Sequence, residues 1–511
     1  MDTERINRQV SLRQIGIHLI PFCALVAALG MSGCSMSLFR FGAREAAPSR
    51  TTFTIDDPRG RDDVLLILAL SGGGSRAAYF STAVMFRLQW LGLLQEVDVL
   101  SSVSGGSLPA AYYAISKDSN DPNTSVSVAV PAPPIAEVPH PKFEYDRSAG
   151  RLSVHGQMTP EDLASVQQAF APTVAPALGR LDRISRGNAQ AKRLWDETRV
   201  KQLMKTNFLG EWFLRWFFPW NIVRYWLTPY SRTDIMAGVF ADDLYDSEPF
   251  GIDLTLGELN PERPYLILNA TDATDNPDGK TFQPFTFTDE DFQLTLGRTD
   301  VADVSVGDAV MTTAAFPAVF NYANLRDRRT NARRYAHLFD GGNSDNLGLT
   351  SADRVLWEHS QFQRYKHIAV ILVDSYTAPA GVSATKRDPR FPWGYVVDTN
   401  FLDTFDALLT ANRKNILAWF YHTEMNKYGG TFCHLTWEPG DSPQPKRDVE
   451  AIPALPKKLR DRLNRISTDF RISQEDAAAL DQAAELLVGT NNECLQEIRR
   501  MALSARDALG P

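Results

Sequence analysis

The chain has 511 residues, 44% hydrophobic and 22% charged, which excludes a disordered tail, a collagenous repeat and a disulfide-knitted mini-protein. Its 53 basic and 61 acidic side chains give a formal charge of −8, a poor match to a nucleic-acid binder. The cysteines, Cys23, Cys34, Cys433 and Cys494, are too few for a disulfide framework and lack metal-site spacing.

Arg5, Arg8 and Arg13 precede an almost uncharged run from Ile15 to Met31. Its length suits a secretory hydrophobic region and is short for a spanning helix of ~20 residues. The run ends in Met31-Ser32-Gly33-Cys34. Small residues directly before a cysteine resemble the lipobox of bacterial lipoproteins, with Met31 where leucine is usual. That resemblance implies a signal peptide over 1–33 and lipidation of Cys34. Because Ser35 follows instead of Asp, it also implies a bacterial outer-membrane anchor facing the periplasm. An inner-membrane anchor is the alternative, and an uncleaved anchor helix is the reading without a lipobox. Residues 34–62, with Pro48, Pro58 and Gly60, read as a tether. After export Cys433 and Cys494 would remain unmodified and could pair in an oxidising compartment.

Val64 to Leu70 (VLLILAL) is a continuous apolar run closed by Ser71-Gly72-Gly73-Gly74, the pattern of a strand buried on both faces. Arg76–Leu94 carries Phe80, Val84, Leu88 and Leu91 at helical spacing. Val97–Val103 reads as a second strand and Gly105–Ile115 as a second helix, giving a right-handed parallel unit. Asp118–Pro141 is rich in Ser, Asn, Asp and Pro and reads as an excursion or loop. Met158–Ser185 looks partly helical. Lys205–Leu227 crowds Phe208, Trp212, Phe213, Trp216, Phe217, Phe218, Trp220, Tyr225 and Trp226 together. Strands are expected at Pro264–Ala270, Tyr335–Phe339 and His367–Val373, and helices over Asn400–Met425 and Glu475–Leu509.

Three segments carry chemistry. The first, Ser71–Arg76, places a glycine run between a buried strand and a helix. Backbone N–H groups at a helix N-terminus without shielding side chains can bind an anion or form an oxyanion hole. A phosphate loop would need a lysine that is missing here. The second, Ser102-Val103-Ser104-Gly105-Gly106, leaves a strand and starts a helix. A nucleophile elbow needs small residues two before and two after the nucleophile, and Ser102 and Gly106 meet that need. Ser107 competes but falls inside the first helical turn. The third, Asp340-Gly341-Gly342, ends a strand with a lightly shielded carboxylate, able to accept a serine proton within ~2.6–3.2 Å. Alone, each segment is also compatible with an ordinary turn.

In this order and context the three resemble the patatin-like phospholipase family. Ala270–Thr274 resembles the family's mid-domain strand and turn, and Thr312-Thr313-Ala314-Ala315-Phe316-Pro317-Ala318-Val319-Phe320 resembles its Ala-Ser-x-Ala-x-Pro-x-x-Phe block. The resemblance covers about Val64–Asp374. It implies a patatin-like three-layer α/β fold with a mainly parallel central sheet. An aromatic-rich helical insert and a helical C-terminal extension would be added to it. The catalytic domain is set at 63–445, with an insert at about 118–230, and the extension at 446–511. The resemblance further implies a Ser–Asp dyad with Ser104 as nucleophile and Asp340 as base. Gly72, Gly73, Gly74, Ser75 and Arg76 would form the oxyanion loop. Ser102, Gly105 and Gly106 would shape the elbow, and Gly341 and Gly342 would complete the Asp-Gly-Gly motif. Arg76 would hold the loop or meet a lipid phosphate.

The expected activity is hydrolysis of a phospholipid or other acyl-ester lipid through an acyl-serine, at a membrane surface, with no metal, cofactor or nucleic acid. An acyltransferase using the same dyad is the alternative within the class, and a silent envelope scaffold the alternative outside it. A Ser-His-Asp mechanism would look to His337. Positions 337 and 340 of one strand point to opposite faces, so His337 reads as structural. His359, His422 and His434 sit in no motif. The aromatic cluster reads either as a buried helical hairpin or as a membrane-facing cap with Arg215 and Arg224 toward headgroups. Arg326, Arg328, Arg329, Arg333 and Arg334 read as a solvated turn or an anionic headgroup site near the catalytic mouth.

Overall fold

The computed structural model describes residues 64–118, 125–129, 143–146, 151–155, 161, 193–246, 253–260, 262–275, 282–298, 300–317, 319–329, 334–362, 365–377, 400–438, 453–466 and 471–508. The segments read as a signal peptide and a tether, Cys34, and nearly all of Met158–Ser185 lie outside the described residues.

The chain begins its sheet with β1 (Val64–Leu70), α1 (Gly74–Trp90), β2 (Val99–Val103) and α2 (Ser107–Ile115). These match the sequence expectation to within a few residues. Next, β3 (Lys117–Asp118) pairs with a later β7 (Leu194–Trp195). Between them β4 (Ser125–Ala129), β5 (Phe143–Asp146) and β6 (Arg151–His155) form an antiparallel sheet in the order β4–β6–β5. The stretch read as an excursion therefore contains a strand. The Ser-Val-Ser-Val alternation over 125–128 is a period-two signal that the surrounding prolines mask.

The helices α3 (Glu197–Leu203), α4 (Phe208–Trp216), α5 (Pro219–Leu227) and α6 (Arg232–Phe240) follow. The chain then returns to the main sheet with β8 (Tyr265–Asp272) and β9 (Gln283–Thr286). After α7 (Asp289–Leu296) and α8 (Val306–Thr313) come β10 (Ala323–Asp327) and β11 (Arg334–Asp340). Then follow α9 (Leu349–Phe362), β12 (His367–Val373), α10 (Asn400–Trp419) and β13 (Thr431–Leu435). The C-terminal helices are α11 (Lys457–Leu463), α12 (Gln474–Leu487) and α13 (Glu493–Ala508).

The main sheet runs β10–β11–β8–β2–β1–β12–β13, with β9 added against β8. From β8 to β13 neighbours are parallel, whereas β11 is antiparallel to β8 and β10 to β11. The sheet is thus mainly parallel, with an antiparallel edge. Strands β2 and β8 are neighbours, so everything from α2 to residue 264 is one elaborated crossover.

Strand β1 shows the layering. Leu66, Leu68 and Leu70 join one apolar cluster with residues of α1, α2, α6, α8, α12 and α13. Leu65, Ile67 and Ala69 join a second with Leu349 and Leu356 of α9 and Leu417 of α10. Alternate residues of a strand face opposite sides, so both faces of β1 are covered and the fold is a three-layer α/β/α sandwich.

Two helices depart from expectation. Helix α10 continues as a π-helical turn over Phe420–Met425 before Gly429, at φ 67°, ends it. The stretch expected as one helix over 475–509 is two. Gly489 and Asn492 separate them, and the Asn492 side chain caps α13 by accepting from the Leu495 N–H at 3.0 Å.

Candidate active site

Strands β1 and β2 are parallel neighbours, so the turns that follow them emerge side by side at the same edge of the sheet. A parallel sheet places the loops after its strands together, where ligands bind. The third contributor, β11, runs the other way beside β8 and delivers Asp340 opposite Ala270.

Ser104 leaves β2 at φ 48°, a left-handed conformation that non-glycine residues rarely adopt. Such strain persists where the surroundings over-determine it, and a sharp strand-to-helix turn does so here. The close packing explains the flanking glycines. A Cβ on Gly105 would fall on the carbonyl group of Gly74, and one on Gly72 would lie 3.2 Å from the Ser104 Cβ. Ser102 is fully buried between strands, where a larger side chain would meet β8. Ser107 opens α2 and is completely buried, one helical turn away from the apex that Ser104 occupies.

The Ser104 hydroxyl donates to Asp340 Oδ2 at 3.0 Å, across 236 residues of sequence. The other carboxylate oxygen, Oδ1, accepts the Gly342 N–H at 2.7 Å. Both side chains are nearly buried. Burial raises the Asp340 carboxyl to about 6, with the bonds from Gly342 and Ser104 pulling it back toward the charged form. Its backbone is fixed from several sides. The Asp340 N–H donates to Ala315 O, the Gly341 N–H to Thr313 O, and Thr271 Oγ1 to Asp340 O at 2.8 Å. The Thr312–Phe320 block thus buttresses the carboxylate.

The glycine loop is held from behind. Ser375 Oγ donates to Gly72 O at 2.9 Å, and the Ser375 N–H to Ser71 Oγ at 2.9 Å. Arg76 is buried and donates to Ser375 O at 2.9 Å and Ile466 O at 2.7 Å. Its guanidinium therefore ties the loop to the C-terminal segment and cannot meet a lipid phosphate; burial lowers it to about 10. Ser75 Oγ donates to Arg471 O at 3.0 Å. The Gly72 N–H is taken by Asn346 O at 3.0 Å, which removes it from the donors expected to meet an oxyanion. Gly73, at φ 140°, and Gly74, at φ 59°, hold the turn into α1 in conformations suited to glycine.

Sequence reasoning gave no role to a cluster beneath this loop. Asp374, which follows β12, pairs with Arg413 of α10 and with His434 of β13, whose Nε2 lies 2.9 Å away. All three are buried. Burial opposes ionisation of Asp374, but Arg413 and His434 outweigh it and hold the carboxyl well below its usual range. The clue was Asp374-Ser375 at a strand end; its partners come from distant elements.

His337 is exposed, with Nδ1 2.5 Å from Asn324 Oδ1, on the opposite face of β11 from the dyad. The arginine stretch is a β-hairpin and not a plain turn. Arg326 lies on β10, Arg328 pairs with Asp300, Arg329 with Asp327, and Arg334 opens β11, while Arg333 lies outside the described residues. Arg334 and Asp340 are the two ends of the seven-residue β11, ~20 Å apart at strand rise, so the turn of the hairpin lies far from Asp340.

The family profile described as Patatin-like phospholipase matches residues 68–353, which span the glycine loop, the elbow, the Asp-Gly-Gly turn and the start of α9. The chain belongs to the patatin-like phospholipase family. Among solved structures, human GIVD cytosolic phospholipase A2 is 12% identical at a TM-score of 0.39, over 86% of this chain and 60% of that one. VipD from Legionella pneumophila is 13% identical at a TM-score of 0.24, over 93% and 94%. The chain therefore spans 60% of the length of the phospholipase A2 it matches. No curated protein matches it. These structural likenesses are loose, and membership in the patatin-like family rests on the profile match.

Proposed function

We propose that this patatin-like chain is a serine lipid acyl hydrolase in which Ser104 is the nucleophile and Asp340 the general base. The observation that carries the reading is the 3.0 Å hydrogen bond from a serine at φ 48° to a buried carboxylate. Asp340 takes the hydroxyl proton as Ser104 Oγ attacks an ester carbonyl. The carbonyl oxygen gains charge beside the N-terminus of α1, where amides of the Gly73–Ser75 turn are the candidate donors. Loss of one such donor typically costs ~2.7–4 kcal/mol. The alcohol leaves with the proton from Asp340, giving an acyl-serine. Water then gives its proton to Asp340, attacks the acyl carbon and releases the fatty acid and free Ser104.

Ser104→Ala and Asp340→Asn should each abolish hydrolysis of a chromogenic fatty-acyl ester, with the melting transition retained. Full turnover in either variant would remove the dyad.

The sequence around Cys34 supports export and a lipid anchor in the bacterial envelope, at the outer membrane facing the periplasm. Metabolic labelling with radioactive palmitate checks this. Label should enter the wild-type chain and be lost in Cys34→Ser; an unlabelled wild type removes the anchor.

A further inference from the structure

The elaborated crossover ends in a surface that the catalytic reading does not use. Helices α4 and α5 bury few of their large side chains. Phe208 and Trp212 point into the core, where Trp212 meets Phe320 with ring centroids 5.3 Å apart. The outer face carries Phe213, Phe217, Phe218, Trp220 and Trp226, with Trp226 77% and Phe217 60% exposed. These rings meet one another: Phe218 stacks on Trp220 at 4.7 Å, and Phe213 meets Phe217 edge-on at 4.8 Å. Soluble monomers rarely present so concentrated an apolar patch without a partner.

We infer that the α4–α5 hairpin is a docking surface for an anionic phospholipid bilayer. The inference deepens the lipid acyl hydrolase reading and rests on it for its purpose.

Three observations select a lipid surface. The first is residue type. Trp, Tyr and Phe dominate the face, and amphipathic aromatic rings favour the level of the headgroups. The second is charge. In an acidic chain, residues 205–232 carry Lys205, Arg215, Arg224 and Arg232 against the single carboxylate Glu211. Arg215 is paired to Asp242 and fixes α4 to the body of the fold. Arg224 packs over the buried Tyr230 ring at 3.9 Å, so it adds to the local positive charge while fixing the end of α5. The third is continuity with the site. Trp212 packs on Phe320, and Phe320 closes the turn whose Ala315 carbonyl accepts the Asp340 N–H. Seating the hairpin in a bilayer would hold the site at a fixed place relative to that surface.

The test uses the full chain and vesicles of phosphatidylcholine with phosphatidylglycerol, part of the lipid carrying brominated acyl chains. Residues 1–33 contain no tryptophan, so quenching of indole emission reports the fold and not the N-terminal segment. Wild type should be quenched. Trp220→Phe/Trp226→Phe should lose most of that quenching. Phe217→Glu/Trp226→Glu should weaken vesicle binding at least about tenfold, the scale of losing one or two inserted apolar side chains. Turnover of a short soluble ester by the Glu pair should match wild type. Unquenched wild type, or a Glu pair that binds as wild type does, overturns the inference. So does a wild-type dimer that the Glu pair dissociates while vesicles leave the emission unchanged. Equal binding to pure phosphatidylcholine overturns the anionic preference. Ser104→Ala should keep the quenching, so failure of the dyad and failure of the docking surface are told apart.

Discussion

At the scale of single residues, the site rests on a conflict between burial and charge. As the proposed base, Asp340 must be ionised to accept a proton, yet burial raises its carboxyl to about 6. A base with that value loses its active form as pH falls through about 6, well above the usual carboxylate range. The pH profile of kcat/KM on a soluble ester should therefore show an acid limb centred near 6 and fall about tenfold per pH unit below it. A plateau reaching pH 4.5 would contradict this. The stability sign runs the other way from a salt-bridged aspartate. Because the folded pKa lies above the unfolded one, the carboxyl contributes stability below the unfolded value, and that stability is lost as pH rises through about 6. Asp340→Asn should then melt no lower than wild type at neutral pH, while being inactive. Most residues of this site were legible because a left-handed elbow and a tight loop tolerate few residue types. Ser104, Gly105 and Gly73 stand out for that reason.

At the scale of elements, legibility followed locality. β1 and β12 were readable end to end, because a strand buried on both faces writes a continuous apolar run. The strand β13 was missed although Gly429-Gly430 precede it and Pro439-Gly440 follow; its five residues contain a cysteine and a histidine, and so short a mixed run is ambiguous by periodicity. The π-helical turn after α10 left no mark in the periodicity. The support for the glycine loop was hidden for a different reason. Asp374, Arg413 and His434 come from the end of β12, from α10 and from β13, and only the order of strands brings them together. Ionic groups in such a cluster hold a geometry because removing one leaves the others buried without compensation. Ser375, next in the chain after Asp374, then carries that rigidity to Gly72 and Arg76. The aromatic hairpin shows the remaining limit. Its composition was plain, but aromatic crowding alone does not say which face a helix buries. The structure divides it, with Phe208 and Trp212 inward and most of the rest outward.

At the scale of the molecule, the question is what joins the C-terminal extension to the catalytic sheet. Part of the answer is apolar, since Leu480, Leu487, Leu495 and Ile498 enter the same cluster as α1. Part is polar, since Ile466 and Arg471 supply carbonyls to Arg76 and Ser75 beside the glycine loop. The third tie is covalent: Cys433 of β13 is joined to Cys494 of α13, with Cα atoms 5.9 Å apart. The link closes a loop of 61 residues, for which chain-entropy arguments give about 4 kcal/mol. Its benefit falls on the edge strand and the last helix, because a chain this large opens in parts. Such a bond persists in an oxidising compartment, in keeping with the export proposed from the N-terminal segment. Non-reducing digestion of protein recovered from the cell envelope should yield one peptide pair linked through these two residues. Cys494→Ser should raise hydrogen exchange over Thr431–Leu435 and Glu493–Ala508, and leave exchange in β1 and β2 unchanged. Free thiols at both positions in envelope material, or unaltered exchange in the variant, would show that packing alone holds the extension in place.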